Sequence, residues 1–276
     1  MVVENIGADF KFTMSGLEKG LQVAYITTPT AQLLCCQHDE EIEAVLTRTD
    51  LSSFDQIPVQ ERGVIIGLVK RLACPSGAQG QARRHMVPLG ESILVSSDAS
   101  LLEFIQNDSL DRLVIRGTKI DGLVTRSDFL KLPVTLLAFA LVTHVETLML
   151  NMLRATGVTE EVWSGYLKSE RRKEIRDRYK KLTDKRADPD LLELTYFSDK
   201  QKILEHMAEK EMYAPGLPDK ESIKQLSEIK ELRNTVAHTG GRVESADIIQ
   251  ELIGRLQLTR NWIERWQTNN APSPEN

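Results

Sequence analysis

Along the first 131 residues the apolar positions come in short runs. Leu33-Leu34-Cys35-Cys36 and Ile93-Leu94-Val95 read as strands, while Asp39 to Leu46 and Ala99 to Ile105 carry helical spacing, with Asp39 and Asp98 as candidate caps. Two more short strands follow in each case, parted by turns at Gln60–Gly63 and Arg116–Lys119. From Val134 onward strand signals stop and the spacing is helical. It predicts helices near 134–155, 159–186, 190–212, 219–239 and 245–267. Asp190, Asp219 and Ser245 are plausible starts, and Gly157, Pro215-Gly216-Leu217-Pro218 and Gly240-Gly241 are breaks.

The two early stretches are copies of one unit. Ile65-Ile66-Gly67-Leu68-Val69-Lys70-Arg71 lines up with Ile120-Asp121-Gly122-Leu123-Val124-Thr125-Arg126, and Phe54 to Val59 lines up with Leu110 to Ile115. The offsets, 55 and 56, differ by one deletion in a turn, which marks a duplicated supersecondary unit. Each copy reads strand, helix, strand, strand, helix start. One copy alone is too small to bury its faces, so the two are expected to pack together. Ala73 to Gly90, with Arg83, Arg84 and His85, reads as a Pro/Gly-rich loop between copies.

In the second half, the first helix is apolar almost all round. Leu137, Leu141, Val145, Leu148 and Met152 form one stripe, and Phe139, Val142, Met149 and Leu153 cover the other side. Such a helix should be buried on every side, which predicts either homodimerisation through it or packing of the first half against it. Its length would allow a membrane span, but His144, Glu146 and Asn151 argue against one. Glu146 should have a partner, for which Arg233 is a candidate. From Lys168 to Arg186 there are ten basic and four acidic residues, either a phosphate-facing surface or a solvated helix face. Near the end of the fourth predicted helix stands Arg233-Asn234-Thr235-Val236-Ala237-His238. Asn234 and His238 are one turn apart on one face, and the long Arg233 side chain can reach the same spot. Taken by themselves these residues read first as a helix C-cap donor, His238, and a salt bridge from Arg233 to Glu231 or a neighbour.

The chain has 276 residues, 41% of them apolar, enough for one or two packed domains and too apolar for disorder. Aromatics at 5% argue against base-stacking platforms. The net charge of -5 falls on the first half, so a polyanion should prefer the second. Three cysteines (Cys35, Cys36, Cys74) make no disulfide framework, and MVVENIGADF has neither the basic nor the apolar region of a secretory signal, so a cytoplasmic location is expected. No Gly-x-x-x-x-Gly-Lys occurs, and His38, His85, His144 and His206 lack ligand spacing, so no metal is expected.

The duplicated unit resembles the CBS domain, and its duplication the tandem CBS pair (the Bateman module), over about residues 20–131. In that family a Gly-x-x-Thr/Ser-x-x-Asp stretch binds adenosine nucleotides. The second copy has it: Gly122-Leu123-Val124-Thr125-Arg126-Ser127-Asp128. The resemblance implies a regulatory adenine nucleotide (AMP, ADP, ATP or S-adenosylmethionine) held by Thr125, Ser127 and Asp128. Hydroxyls and backbone N–H groups suit a phosphate, and a carboxylate suits a ribose diol. Thr125 and Asp128 would also serve simply to cap the helix after the strand. The first copy departs from the pattern, with Lys70 and Ala73 in place of Thr125 and Asp128, so at most one site is competent for a ribose.

The helical half resembles the HEPN domain over about residues 134–267, through its helix count, the Arg-Asn-x-x-x-His motif and Tyr196-Phe197-Ser198-Asp199-Lys200. Many members are dimeric, metal-independent endoribonucleases of toxin or defence systems; others are noncatalytic and bind RNA or partners. The resemblance implies that Arg233 holds the scissile phosphate, Asn234 orients His238 or bonds across the dimer, and His238 exchanges a proton with the RNA 2′-hydroxyl or leaving oxygen. The expected architecture is thus an α/β CBS pair of two β-α-β-β-α repeats over 1–131 (about 20–73 and 86–131), an all-α HEPN-like bundle over 132–268, and a disordered tail over 269–276. The partners expected are a second copy of the chain, RNA and an adenine nucleotide, with no membrane. The rival expectation is a noncatalytic nucleotide-sensing regulator or adaptor.

Overall fold

The computed structural model describes residues 16, 19–184, 190–210, 217–237 and 246–269. The chain divides into two compact units, Met1–Val134 and Thr135–Asn276. The first contains sheets and the second is helical.

The first unit holds two four-stranded sheets. One is ordered β2 (Cys36–Gln37), β3 (Gln56–Glu61), β4 (Val64–Lys70), β5 (Met86–Pro88). The other is ordered β1 (Thr28–Pro29), β8 (Lys119–Val124), β7 (Arg112–Arg116), β6 (Leu94–Ser96). In each, the short first strand of the copy runs parallel to the next, and an antiparallel hairpin follows. The hairpins turn where the backbone is left-handed, at Arg62 and Gly63 in one copy and at Gly117 in the other.

The copies exchange edge strands. β1 stands at the start of the first copy but pairs with β8 of the second; β5 stands at the start of the second copy but pairs with β4 of the first. The registers match: Pro29 faces Gly122, and Pro88 faces Gly67. Proline suits an edge strand because it has no N–H to offer the ladder. The glycines are required because the exchanged strands lie on them. A Cβ on Gly67 would stand 2.5 Å from the Val87 carbonyl oxygen, and one on Gly122 would run into the Thr28 carbonyl. The stretch expected as an inter-repeat loop therefore supplies β5, and its Ala82 is fully buried in the first copy's core.

Exchange also changes the helix starts. α1 (Ile42–Thr47) and α2 (Leu101–Phe104) are not capped by Asp39 and Asp98 as expected. Glu41 and Ser100 hold those positions, and the crossing chain supplies backbone acceptors: Ile42 N–H donates to the Gly80 carbonyl and Leu101 N–H to that of Leu21, both at 2.8 Å. The helix expected to close each repeat is instead a 3₁₀ turn, Arg71–Ala73 in the first copy and Arg126–Leu130 in the second.

One apolar cluster (Ile42, Val45, Leu51, Ile57, Val59, Val69) fills the first copy. A second draws on both copies, with Ile65 and Leu68 from one and Ile93, Leu113 and Leu123 from the other, as the packing expectation required.

The helical unit is built from α3 (Leu132–Ala155), α4 (Glu160–Ser164), α5 (Ser169–Thr183), α6 (Phe197–Glu209), α7 (Lys220–Ala237) and α8 (Ala246–Asn269). The helix expected over 159–186 is two, broken after Gly165. The one expected over 190–212 begins as a 3₁₀ turn, Leu191–Leu194, and restarts where Asp199 accepts from the Tyr196 N–H. Asp219 caps α7 by accepting from Ser222 N–H at 2.7 Å. Leu137, Leu141, Val145 and Met149 of α3, Leu226, Ile229 and Leu232 of α7, and Leu256 of α8 are fully buried. By length and composition α3 could cross a membrane, yet half of that stretch is buried. It is not buried on every side as expected: Leu132, Leu136 and Phe139 are exposed, one helical turn apart. Ser245, the Gly240-Gly241 break, Pro215-Gly216 and the tail from 270 lie outside the described residues.

Candidate functional site

β8 ends at Val124 and delivers Thr125 in an extended conformation, from which the 3₁₀ turn starts. The turn swings Asp128 back under Thr125. Asp128 is buried, and its carboxylate accepts from the Thr125 N–H at 2.7 Å and from the Thr125 hydroxyl at 3.1 Å. Ser127 is exposed, with its Oγ 2.9 Å from Thr125 Oγ1. The three residues named from the sequence thus converge, and the cap is realised in the same geometry. Two neighbours were not foreseen. The Thr28 hydroxyl of β1 donates to Asp128 Oδ1 at 3.1 Å, and Lys131 Nζ stands 2.6 Å from the same oxygen. Lys131 also donates to the Ile26 carbonyl at 2.6 Å. Thr28 is 100 residues away in sequence, so only the strand exchange could have revealed it.

The equivalent place in the first copy lacks this chemistry. Val87 takes the register position of Thr28, and Ala73 stands in place of Asp128. Arg71 works instead as a brace, its guanidinium donating to the carbonyls of Phe54 (2.9 Å), Leu46 (2.7 Å) and Leu51 (2.7 Å). Between the copies, Asp111 accepts from Arg126 N–H at 3.3 Å and from Gln56 Nε2 at 3.4 Å. Burial pushes its carboxyl above the usual range, partly offset by the Arg126 N–H and by the nearby Arg126 and Lys70 charges.

In the helical unit the motif lies in the last turn of α7. Arg233 and Asn234 are exposed. Arg233 makes no ion pair among the described residues, while Asn234 Nδ2 donates to Glu231 at 3.2 Å. His238 lies outside the described residues. Next to them, Thr235 is buried and accepts from Arg255 at 2.8 Å, which fixes α7 against α8.

Glu146 is not paired with Arg233. Its partner is Lys200, a buried ammonium 3.1 Å from Glu146 Oε1 that also donates to the Thr195 carbonyl at 2.6 Å. Burial holds the Lys200 amine below the usual lysine range, offset in part by Glu146. His144 is buried as well, and burial pushes its imidazole down to about 3, so it is neutral near pH 7. The basic stretch divides by role. Arg171 lies 3.8 Å above the Tyr196 ring and donates to Asp199 at 2.8 Å, and Arg178 donates to the Leu194 carbonyl at 3.0 Å. Lys168, Lys173, Lys180 and Lys181 are exposed; Lys185 and Arg186 lie outside the described residues.

No family model matches the chain, and no curated protein sequence matches it. The chain is similar to a solved structure of the CBS domain of the bacterial CNNM/CorC family Mg2+ transporter in complex with ATP (19% identity, 43% of this chain and 90% of that chain, TM-score 0.34). It is similar to a second structure of that domain (18% identity, 43% of this chain and 78% of that chain, TM-score 0.34). It is also similar to CBSX2 in complex with AMP (17% identity, 39% of this chain and 91% of that chain, TM-score 0.31).

Proposed function

We propose that residues 1–131 form a tandem CBS pair that senses an adenine nucleotide, and that residues 132–268 form a HEPN-like bundle acting as a metal-independent endoribonuclease under its control. The observation that carries the sensing half is the convergence of Thr125, Ser127 and Asp128 beside the exchanged β1 strand in one copy, against Lys70, Ala73 and Val87 in the other. Asp128 takes the ribose diol, and Thr125 and Ser127 face the remainder of the ligand. One nucleotide binds per chain. Calorimetry of the full chain against AMP, ADP, ATP and S-adenosylmethionine tests this, with AMP and ATP first because two of the three similar structures hold them. Binding that Asp128→Ala abolishes is expected; no binding to any of the four sinks the reading.

The effector half is supported by the exposure of Arg233 and Asn234 in the last turn of α7. A guanidinium without an ion pair among the described residues is available there to a phosphate. His238 exchanges the proton and Asn234 orients it. Leu136 and Phe139, exposed on α3, support a homodimer formed through the helical unit. RNA cleavage in EDTA by the wild type, lost in His238→Ala, is the expected result. One observation favours the second reading, a noncatalytic regulator or adaptor whose helical part dimerises or binds RNA: Glu231, paired with Asn234, places a carboxylate where a phosphate would approach. Wild-type protein that binds nucleotide yet cleaves no RNA, with or without nucleotide, selects that reading.

A further inference from the structure

A carboxylate offers about four acceptor positions, and those of Asp128 are filled. Oδ2 takes the N–H and hydroxyl of Thr125, three residues away on the same turn. Oδ1 takes the Thr28 hydroxyl and the Lys131 ammonium. A ribose diol brings two O–H donors and finds no free position. The Oδ2 bonds are built into the turn. The Oδ1 bonds come from elsewhere and can be withdrawn without unwinding it. We propose that Lys131 is a built-in competitor for the nucleotide: its ammonium occupies the carboxylate oxygen that the ribose must take, and it is displaced when the ligand binds.

The position of Lys131 gives the displacement a consequence. Its ammonium ties Asp128 of the second copy to Ile26 and Thr28, which come from the start of the first copy. Its backbone carbonyl accepts from Val134 N–H at 3.0 Å, in the first turn of α3. α3 is the helix by which the chain passes into the helical unit. A ligand that takes Oδ1 therefore removes the anionic anchor of the residue just ahead of α3. A change of this kind shifts an equilibrium only through unequal affinity for the anchored and released states, and competition for one oxygen supplies that inequality. The first copy has no such device. At the positions of Asp128, Lys131 and Thr28 it carries Ala73, Ser76 and Val87.

The inference rests on the nucleotide reading, and its test separates the two. Full-chain wild type, Lys131→Met and Lys131→Arg are titrated with AMP and with ATP by calorimetry. Methionine keeps the aliphatic stem and removes the charge; arginine keeps the charge. A partly exposed ion pair is worth enough that Lys131→Met should bind about three- to tenfold more tightly, with Lys131→Arg near wild type. Amide exchange over 23–28 and 131–136 should rise when AMP is added to the wild type and should already be raised in ligand-free Lys131→Met. Binding by the Met variant alone also supports the competitor. Wild type that binds, with Lys131→Met equal or weaker, overturns the competitor and leaves the nucleotide reading standing. Absence of binding by both overturns both. Should Lys131→Met fail to fold, Thr28→Val removes the other Oδ1 donor. It is expected to tighten binding for the same reason, and weaker binding there overturns the proposal.

Discussion

The exchange of edge strands makes a sharp mutational prediction at Gly122. An alanine there would drive its Cβ into the Thr28 carbonyl and against the Thr27 methyl, and backbone cannot rotate out of the way. β1 must lift off β8. That breaks the short ladder at Thr28 and Pro29 and pulls the Thr28 hydroxyl from Asp128. Roughly 1 kcal/mol for each ladder bond lost and roughly 2 for a hydrogen bond to a charged group give about 3–4 kcal/mol. Gly90→Ala is the control, because that backbone is extended (φ −177) and the nearest atom to its Cβ is the Pro88 oxygen at 4.0 Å. Its cost should stay within about 0.5 kcal/mol. A two-unit chain need not unfold in one step, so the assay must see the first unit alone. All three tryptophans (Trp163, Trp262, Trp266) lie in the helical unit, so their fluorescence follows that unit. Native-state amide exchange of β7 and β8 follows the other. Gly122→Ala should lower protection in β8 while leaving the tryptophan transition in place. Unchanged β8 protection would refute the claim that β1 lies against Gly122.

Other outcomes follow from individual side chains. Arg71→Lys should destabilise the first copy by roughly 2 kcal/mol, seen as faster exchange over 44–54, because an ammonium cannot serve the carbonyls of Leu46, Leu51 and Phe54 together. His144 should make the helical unit acid-sensitive. Its folded pKa of about 3 lies below the unfolded 6.5, so on acidification the unfolded chain binds the proton first. Stability should therefore fall as pH drops from 6.5 toward 3, by up to about 1.4 kcal/mol per pH unit. Urea titrations followed by tryptophan fluorescence at several pH values measure this, and a His144→Gln profile as steep as wild type would contradict it.

The duplication was legible because alignment of two copies is a property of the string itself, and Gly67 matched Gly122 on sight. The reason for those glycines was not. β1 has two residues and β5 three, too few for any period to show, and each pairs in the sheet of the other copy. The same crossing moved the helix caps from Asp39 and Asp98, since a backbone carbonyl from a distant segment took the N–H groups those carboxylates would have served. Thr125, Ser127 and Asp128 could be named because they lie within one turn. Lys131, three residues further on, could have been suspected from i,i+3 spacing; Thr28 could not.

The sequence by itself determined the duplicated sheet-containing half, the switch to helices near residue 134, and the apolar stripe of α3. These are set by the spacing of neighbouring residues, and hydrophobic burial reads that spacing directly. Only the tertiary structure decided which chemistry those elements carry. It exchanged β1 and β5, filled both oxygens of Asp128, and gave Glu146 to Lys200 rather than to Arg233. Such choices depend on which buried polar groups meet once the chain is closed, because an unpaired one is too costly to keep.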